Sequence, residues 1–170
     1  MELLFLHSKN EIIKEELMLF KIRNANKEDL SNVLRLIIEL AVFEKEFSAV
    51  ELTLEQLTND FSKKLFNCLI AEHKGEIVGM ALFYNRYSTW KGKTIHLEDL
   101  IVTNAYRGEG IGKALLDKLI FIAKEQHIKR VEWNVLDWND SAISFYENVG
   151  AKILKNWLVV QLDENSIKSF

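Results

Sequence analysis

The chain has 170 residues, 48% hydrophobic and 28% charged, with a net charge of −3 and one cysteine. That length fits one domain with a sizeable core, and the composition is that of a soluble globular protein. The mildly acidic balance gives no ground for nucleic-acid binding, no apolar run reaches the ~18–20 residues of a membrane span, and lone Cys68 excludes a disulfide within the chain, which fits a reducing, cytoplasmic compartment.

Residues 1–19 are expected to form an extension ahead of a domain spanning 20–170. MELLFL is apolar, but Glu2 stands where a signal peptide would be basic, and no small-residue cleavage site follows. The segment is expected to be a short helix packed on the surface or on a partner, and Met18 offers an alternative start. Phe20 to Arg23 reads as a short strand. Asn26 can cap the helix that follows, on which Leu30, Val33, Leu34, Ile37 and Ala41 share one face. Thr53 and Gln56 match a capping box ahead of Leu54, Leu57 and Phe61.

Phe66 to Glu72 and Ile77 to Tyr87 are apolar and β-prone, with Lys74-Gly75 as a hairpin turn between them. Cys68, in the first run, reads as a buried strand thiol. Thr94 to Thr103 is a third long strand. Gly112 to Gln126 is an amphipathic helix, with Ile111, Leu115, Leu119 and Ile122 on its core stripe. Val131, Trp133 and Val135 alternate as a strand over 130–136. Asn139 to Val149 is a helix that Gly150 ends, and Trp157 to Leu162 is a final strand. The chain has no proline, so its turns depend on Gly, Asn, Asp and Ser. The order of elements argues for a mixed α/β sheet with helices on its faces.

The segment HLEDLIVTNAYRGEGIG, His96 to Gly112, carries the functional signal. A strand with two adjacent carboxylates runs into a turn with glycines at 108, 110 and 112, and the turn opens a helix. Backbone N–H groups left bare at a helix start, where the dipole is positive, suit a phosphate or diphosphate. The spacing is not that of a Walker loop, because Ala114 follows Gly112-Lys113. It is not a dinucleotide fingerprint either, because it runs G-x-G-x-G with no early βαβ unit before it.

Arg107-Gly108-Glu109-Gly110-Ile111-Gly112 matches the R-x-x-G-x-G signature of the GNAT acetyltransferase superfamily. WNDSAISFY, Trp138 to Tyr146, followed by Gly150-Ala151, resembles its second block. YSTWKGKTIHLEDLIV, YRGEGIG, the WN…FY pair and Trp157 resemble the diamine (spermidine/spermine) and thialysine N-acetyltransferase subgroup, over roughly Phe20 to Asp163. The resemblance implies an α+β GNAT fold: a mixed, mostly antiparallel central sheet, helices on both faces, and two splayed parallel strands, 95–103 and 130–136. It implies acetyl-CoA as donor, a small-molecule amine as acceptor, direct transfer in a ternary complex and no metal.

On that resemblance, the N–H groups of Gly108, Glu109, Gly110, Ile111, Gly112 and Lys113, with the charge of Arg107, hold the diphosphate. The main chain of Leu100, Ile101 and Val102 pairs with the pantetheine amides, and an N–H near Leu100 faces the thioester oxygen. Asn139, Ala142 and Tyr146 also contact the coenzyme. An alkylammonium with a pKa near ~10.4 is deprotonated in of order one molecule in a thousand at neutral pH, so the amine must lose a proton, which a carboxylate can take directly or through water while also binding the cation. Glu98 and Asp99 are adjacent, and a regular strand points them to opposite faces. The resemblance makes Glu98 the base, with Asp99 in its place if a bulge reverses the facing. Tyr146, seven residues after Asn139, matches the family's general acid.

For the acceptor, Phe43 and Glu44 in FEKE match the family's substrate contacts. Trp90 and Trp157 can cover a cation or an alkyl chain, or else pack in a core or a dimer. Glu44 and Glu46 can equally be a solvated helix end. Polyamine-specific members carry acidic residues before the late tryptophan, whereas here Lys152, Lys155 and Asn156 stand in AKILKNW. Positive charge there favours thialysine, a lysine-like amino acid or a short diamine over spermine. Peptide acetylation and a non-catalytic CoA-binding module are the alternatives, and a homodimer that uses the late strand and Trp157 is expected.

Overall fold

The computed structural model describes residues 20–170, so the expected extension, residues 1–19, lies outside the described residues. The chain divides into two compact units, one ending at Trp133 and the other starting at Asn134.

The first unit is built on a five-stranded sheet: β1 (Lys21–Asn24), β2 (Asn67–His73), β3 (Glu76–Ser88), β4 (Gly92–Val102) and β5 (Val131–Glu132), side by side in chain order. β1 to β4 pair antiparallel and β4 pairs with β5 in parallel. The parallel step needs a crossover, and α3 (Ile111–Glu125) supplies it. The mixed, mostly antiparallel sheet expected from the sequence is present.

Two helices cover one face. Asn26 caps a single 3-10 turn, Lys27–Asp29, which leads into α1 (Leu30–Glu44). The capping box at Thr53 and Gln56 is formed, and it starts α2 (Leu54–Ser62). Leu30, Val33, Leu36 and Leu57 of these helices bury with Cys68, Ile70, Met80, Leu82 and Ile101 of the sheet. The opposite face meets α3. A Cβ on Gly79 would come 2.9 Å from the Ile101 carbonyl oxygen and 3.4 Å from Leu115 Cδ1, so only glycine lets α3 and β4 lie this close to β3. Leu115, Leu116 and Leu119 of α3 are fully buried. The Cys68 thiol is buried, and burial drives its pKa upward, away from thiolate chemistry.

The second unit holds α4 (Asp140–Asn148) and α5 (Glu164–Lys168). Gly150, at φ +88°, follows the end of α4 as the helix-stopping residue. No described helix is long and apolar enough to cross a membrane.

Two strand expectations fail. β5 has two residues, not seven, because its ladder stops at His96↔Glu132, just before β4 bulges at Glu98. Trp157 to Leu162 forms no strand. A strand requires a neighbouring backbone, and Leu158, Val159, Val160 and Leu162 instead stand 60–89% exposed.

Candidate active site

The glycine turn is built as a cradle. Gly108 and Gly110 hold φ of +83° and +82°, which side-chain-bearing residues rarely adopt. A Cβ on either would find nothing within 4 Å, so open space lies directly over the backbone. Gly110 is the cap of α3 and brings no side-chain acceptor, which leaves the N–H groups of the first turn uncapped from that side. Gly112 lies 3.7 Å, at its Cβ position, from Val102 Cγ2 and packs the helix start onto β4. Ile111 is 1% exposed, so its side chain belongs to the core and only its main chain faces the turn. Lys113 pairs with Asp117 at 2.6 Å, and Glu109 is exposed. Arg107 Nε donates to the Val102 carbonyl at 3.0 Å, and its guanidinium lies 5.1 Å over the ring of Phe43.

The strand leading into the turn has one bare edge. Leu100, Ile101 and Val102 pair with Ala81, Met80 and Gly79 on the β3 side. On the other side the parallel ladder reaches only His96, so within this unit no described strand covers their second edge. Ile101 is 3% exposed, which confines its availability to the main chain.

A bulge sets the two carboxylates. Leu82 faces Asp99 while Phe83 faces Leu97, so Glu98 is the extra residue of β4. The sequence-based expectation of opposite faces is therefore corrected. Asp99 shares the α1 side with Leu82, and Glu98 turns to the same side, within hydrogen-bonding reach of Tyr84 and 3.6 Å from His96 Nε2. Burial first, then the charges of Glu98 and Glu44, push the Asp99 carboxyl up to about 6. Glu44, the last residue of α1, is raised too, by burial and then by Glu46. Phe43 beside it is 38% exposed.

Trp90 stands at the tip of the β3–β4 hairpin, 77% exposed, as does Tyr87. In the second unit, Asn139 caps α4, and its Oδ1 accepts from the Ala142 N–H at 3.1 Å, so these two positions are tied to each other. Tyr146 is buried against Phe145, with ring centroids 5.2 Å apart, and Trp157 is 66% exposed. Among the described residues no group of three His, Cys, Asp or Glu could hold a metal ion.

Residues 32–151 match the model of the acetyltransferase (GNAT) family. The chain belongs to the GNAT acetyltransferase family. A thialysine N-epsilon-acetyltransferase of Caenorhabditis elegans is 37% identical over 89% of this chain and 96% of its own. One from Bos taurus is 41% identical over 78% of this chain and 84% of its own. Among solved structures, an aminoglycoside acetyltransferase from an uncultured soil sample superposes with a TM-score of 0.74, covering 85% of this chain and 97% of its own at 20% identity, a likeness of fold.

Against the GNAT pattern, the first unit gathers the glycine turn, the bare edge of β4 and the carboxylates on one strand-turn-helix segment. Three residues of that side escaped the sequence reading. Tyr84 and His96 face each other across β3 and β4, their rings 5.3 Å apart, and buried His96 Nδ1 has no hydrogen-bond partner. Arg86, two residues beyond Tyr84, pairs with Glu132 at 2.7 Å. Their signal was the period-two alternation Leu82, Tyr84, Arg86 on the α1 side, hidden because polar residues on a strand ordinarily face water.

Proposed function

We propose that the protein transfers the acetyl group of acetyl-CoA to a primary amine of a small molecule, by direct attack in a ternary complex. The supporting observation is the bulge at Glu98, which brings two carboxylates to one side of the strand that runs into the glycine turn. On this reading the bare N–H groups of Gly108 to Lys113, at the positive end of α3, take the diphosphate, and Arg107 adds charge. The second edge of Leu100 to Val102 pairs with the amides of the pantetheine arm. An N–H near Leu100 faces the thioester oxygen as it becomes an oxyanion.

The amine arrives as an ammonium. Glu98, Asp99 and Glu44 attract it, and Glu98 takes its proton. Burial first, and then the charges of Glu98 and Glu44, raise the basicity of Asp99 beside it. The amine nitrogen then attacks the thioester carbon. When the carbon–sulfur bond breaks, Tyr146 donates a proton to the departing thiolate. Asn139 and Ala142 contribute to the coenzyme site, and Phe43, Trp90 and Trp157 to the acceptor side.

The acceptor is a small amine: thialysine, a lysine-like amino acid or a short diamine. The relatives named as thialysine acetyltransferases support this choice, as do Lys152 and Lys155, which oppose a long polycation. The protein acts in the cytoplasm as a homodimer, in which residues 157–162 meet a second copy, and 20–170 work as one domain. Thiol release from acetyl-CoA with a panel of thialysine, lysine, diamines, spermidine and spermine tests the reading. Turnover with the small amines is expected. Binding of acetyl-CoA without turnover of any amine overturns it.

A further inference from the structure

The acceptor side of the sheet is acidic at one end and basic at the other. Glu98 and Asp99 hold the acidic end. Two residues along β3 from Tyr84, about 7 Å at the rise of a strand, stands Arg86, on the same side of the sheet. Tyr84 joins the two ends. Its phenol lies within hydrogen-bonding reach of Glu98 and feels the charges of both Arg86 and Glu132.

The basic end holds unused donors. Glu132 lies 2.7 Å from Arg86 and 3.0 Å from Arg130, so one carboxylate faces two guanidinium groups and the trio carries one net positive charge. The contacts are ionic in distance, yet buried Arg130 Nε and Glu132 Oε1 have no well-aligned hydrogen-bond partner. A guanidinium has five N–H donors in a planar fork, and one off-axis carboxylate contact uses few of them. The Arg86 side chain is 53% exposed and therefore reachable.

We propose that Arg86, steadied by Glu132, is a specificity-determining residue that binds a carboxylate on the acceptor, so that the preferred acceptor is an amino acid acetylated on its side-chain amine. The inference rests on the amine-acetylation reading above and adds the residue that selects among amines. An amine placed at Glu98 and Asp99 sends its chain along Tyr84. From ε-amine to α-carbon a lysine-like amino acid spans about 6 Å extended, since three such bonds cover about 3.5 Å. Its α-carboxylate then reaches Arg86. A diamine of equal length brings a second ammonium to the same place and is repelled.

The test compares matched pairs: thialysine with its decarboxylated diamine, and lysine with 1,5-diaminopentane. The wild-type protein is expected to favour each amino acid in kcat/KM. Arg86→Gln is expected to raise KM for the amino acids by about 10-fold or more, the range of a hydrogen bond to a charged group. KM for the diamines is expected to stay level or fall. Arg86→Lys, which keeps the charge, restores part of the preference. Calorimetric acetyl-CoA affinity unchanged in both variants shows that they are folded. Wild-type turnover that favours the diamines overturns this inference and leaves the amine-acetylation reading standing, as does an equal loss for both members of a pair in Arg86→Gln. Failure to turn over any amine overturns both.

Discussion

The guanidinium of Arg107 lies 5.1 Å over the ring of Phe43 and thereby ties the glycine turn to the end of α1. A cation over an exposed ring contributes about 0.5–1 kcal/mol, whereas a hydrogen bond to a charged group contributes about 1.5–3 kcal/mol. A diphosphate in the turn therefore wins the arginine from the ring. Arg107→Gln is expected to raise KM for acetyl-CoA by about 10- to 100-fold. Phe43→Leu is expected to leave that KM within about twofold and to alter KM for the amine. Steady-state kinetics with each substrate varied in turn checks both. An unchanged KM for acetyl-CoA in Arg107→Gln removes the arginine from the donor site.

Asp99 couples stability to pH. Its carboxyl sits at about 6 in the folded protein, chiefly because it is buried, against an ordinary 3.8. Between these values the folded protein keeps a proton that the unfolded chain has released, so stability falls as pH rises from about 4 to about 6. The full cost of the charged form is of order 3 kcal/mol. Asp99→Asn is expected to raise Tm at pH 8, by several degrees at most, and to leave Tm nearly unchanged at pH 4. In the wild-type protein kcat/KM is expected to rise through about pH 6 as Asp99 ionises, and the same substitution should flatten that rise. Thermal melts across pH decide the first part, and a Tm at pH 8 equal to or below that of the wild type overturns it.

What was legible in the sequence follows from where the physics is local. The Thr53–Gln56 capping box, the Lys74-Gly75 turn and the α3 stripe depend on neighbours a few residues apart, and all formed. The glycine turn was legible for the same reason: Gly108 and Gly110 both require positive φ. The bulge at Glu98 was not, because it is a mismatch of register between β3 and β4, which only their pairing defines. For that reason Glu98 and Asp99 were expected on opposite faces, and Tyr84, His96 and Arg86 went unnoticed as their companions. The late run Trp157 to Leu162 has a strand's composition, but a composition cannot supply the backbone that a strand pairs with.

Gly110 offers a cleaner test of the cradle than any side chain. Nothing lies within 4 Å of its Cβ position, so Gly110→Ala meets no clash and is strained only through φ of +82°. That strain is about 1–2 kcal/mol for a left-handed residue. On the proposed reading the added methyl also enters the open space in which the diphosphate is held. Acetyl-CoA affinity is expected to fall by more than the stability loss alone explains. Calorimetric titration at a temperature where the variant is fully folded checks this, and an affinity within twofold of the wild type overturns the assignment of the turn to the donor.

Exposed apolar Leu158, Val159, Val160 and Leu162 predict the effect of a charge. Val160 is 89% exposed in the single chain, so Val160→Lys should cost less than about 0.5 kcal/mol of protomer stability. In a homodimer that covers this segment, the same lysine is buried without a partner and drives dissociation. Sedimentation velocity should show a dimer for the wild-type protein and a monomer for Val160→Lys, with similar circular dichroism. Identical sedimentation of the two removes this segment from any interface.

Tyr146 is 8% exposed, and its ring packs against Phe145, so its aromatic body is held in place whatever its hydroxyl does. Removal of the hydroxyl alone therefore separates packing from chemistry. Tyr146→Phe keeps the ring and is expected to melt within a few degrees of the wild-type protein. On the proposed mechanism it lacks the proton given to the CoA thiolate as the carbon–sulfur bond breaks, and general acid catalysis contributes about 10²- to 10⁴-fold. The expected result is acetyl-CoA affinity unchanged by calorimetry and kcat lower by about 10²-fold or more. Thiol release under saturating acetyl-CoA and amine measures kcat directly, and a kcat equal to that of the wild-type protein takes Tyr146 out of the mechanism.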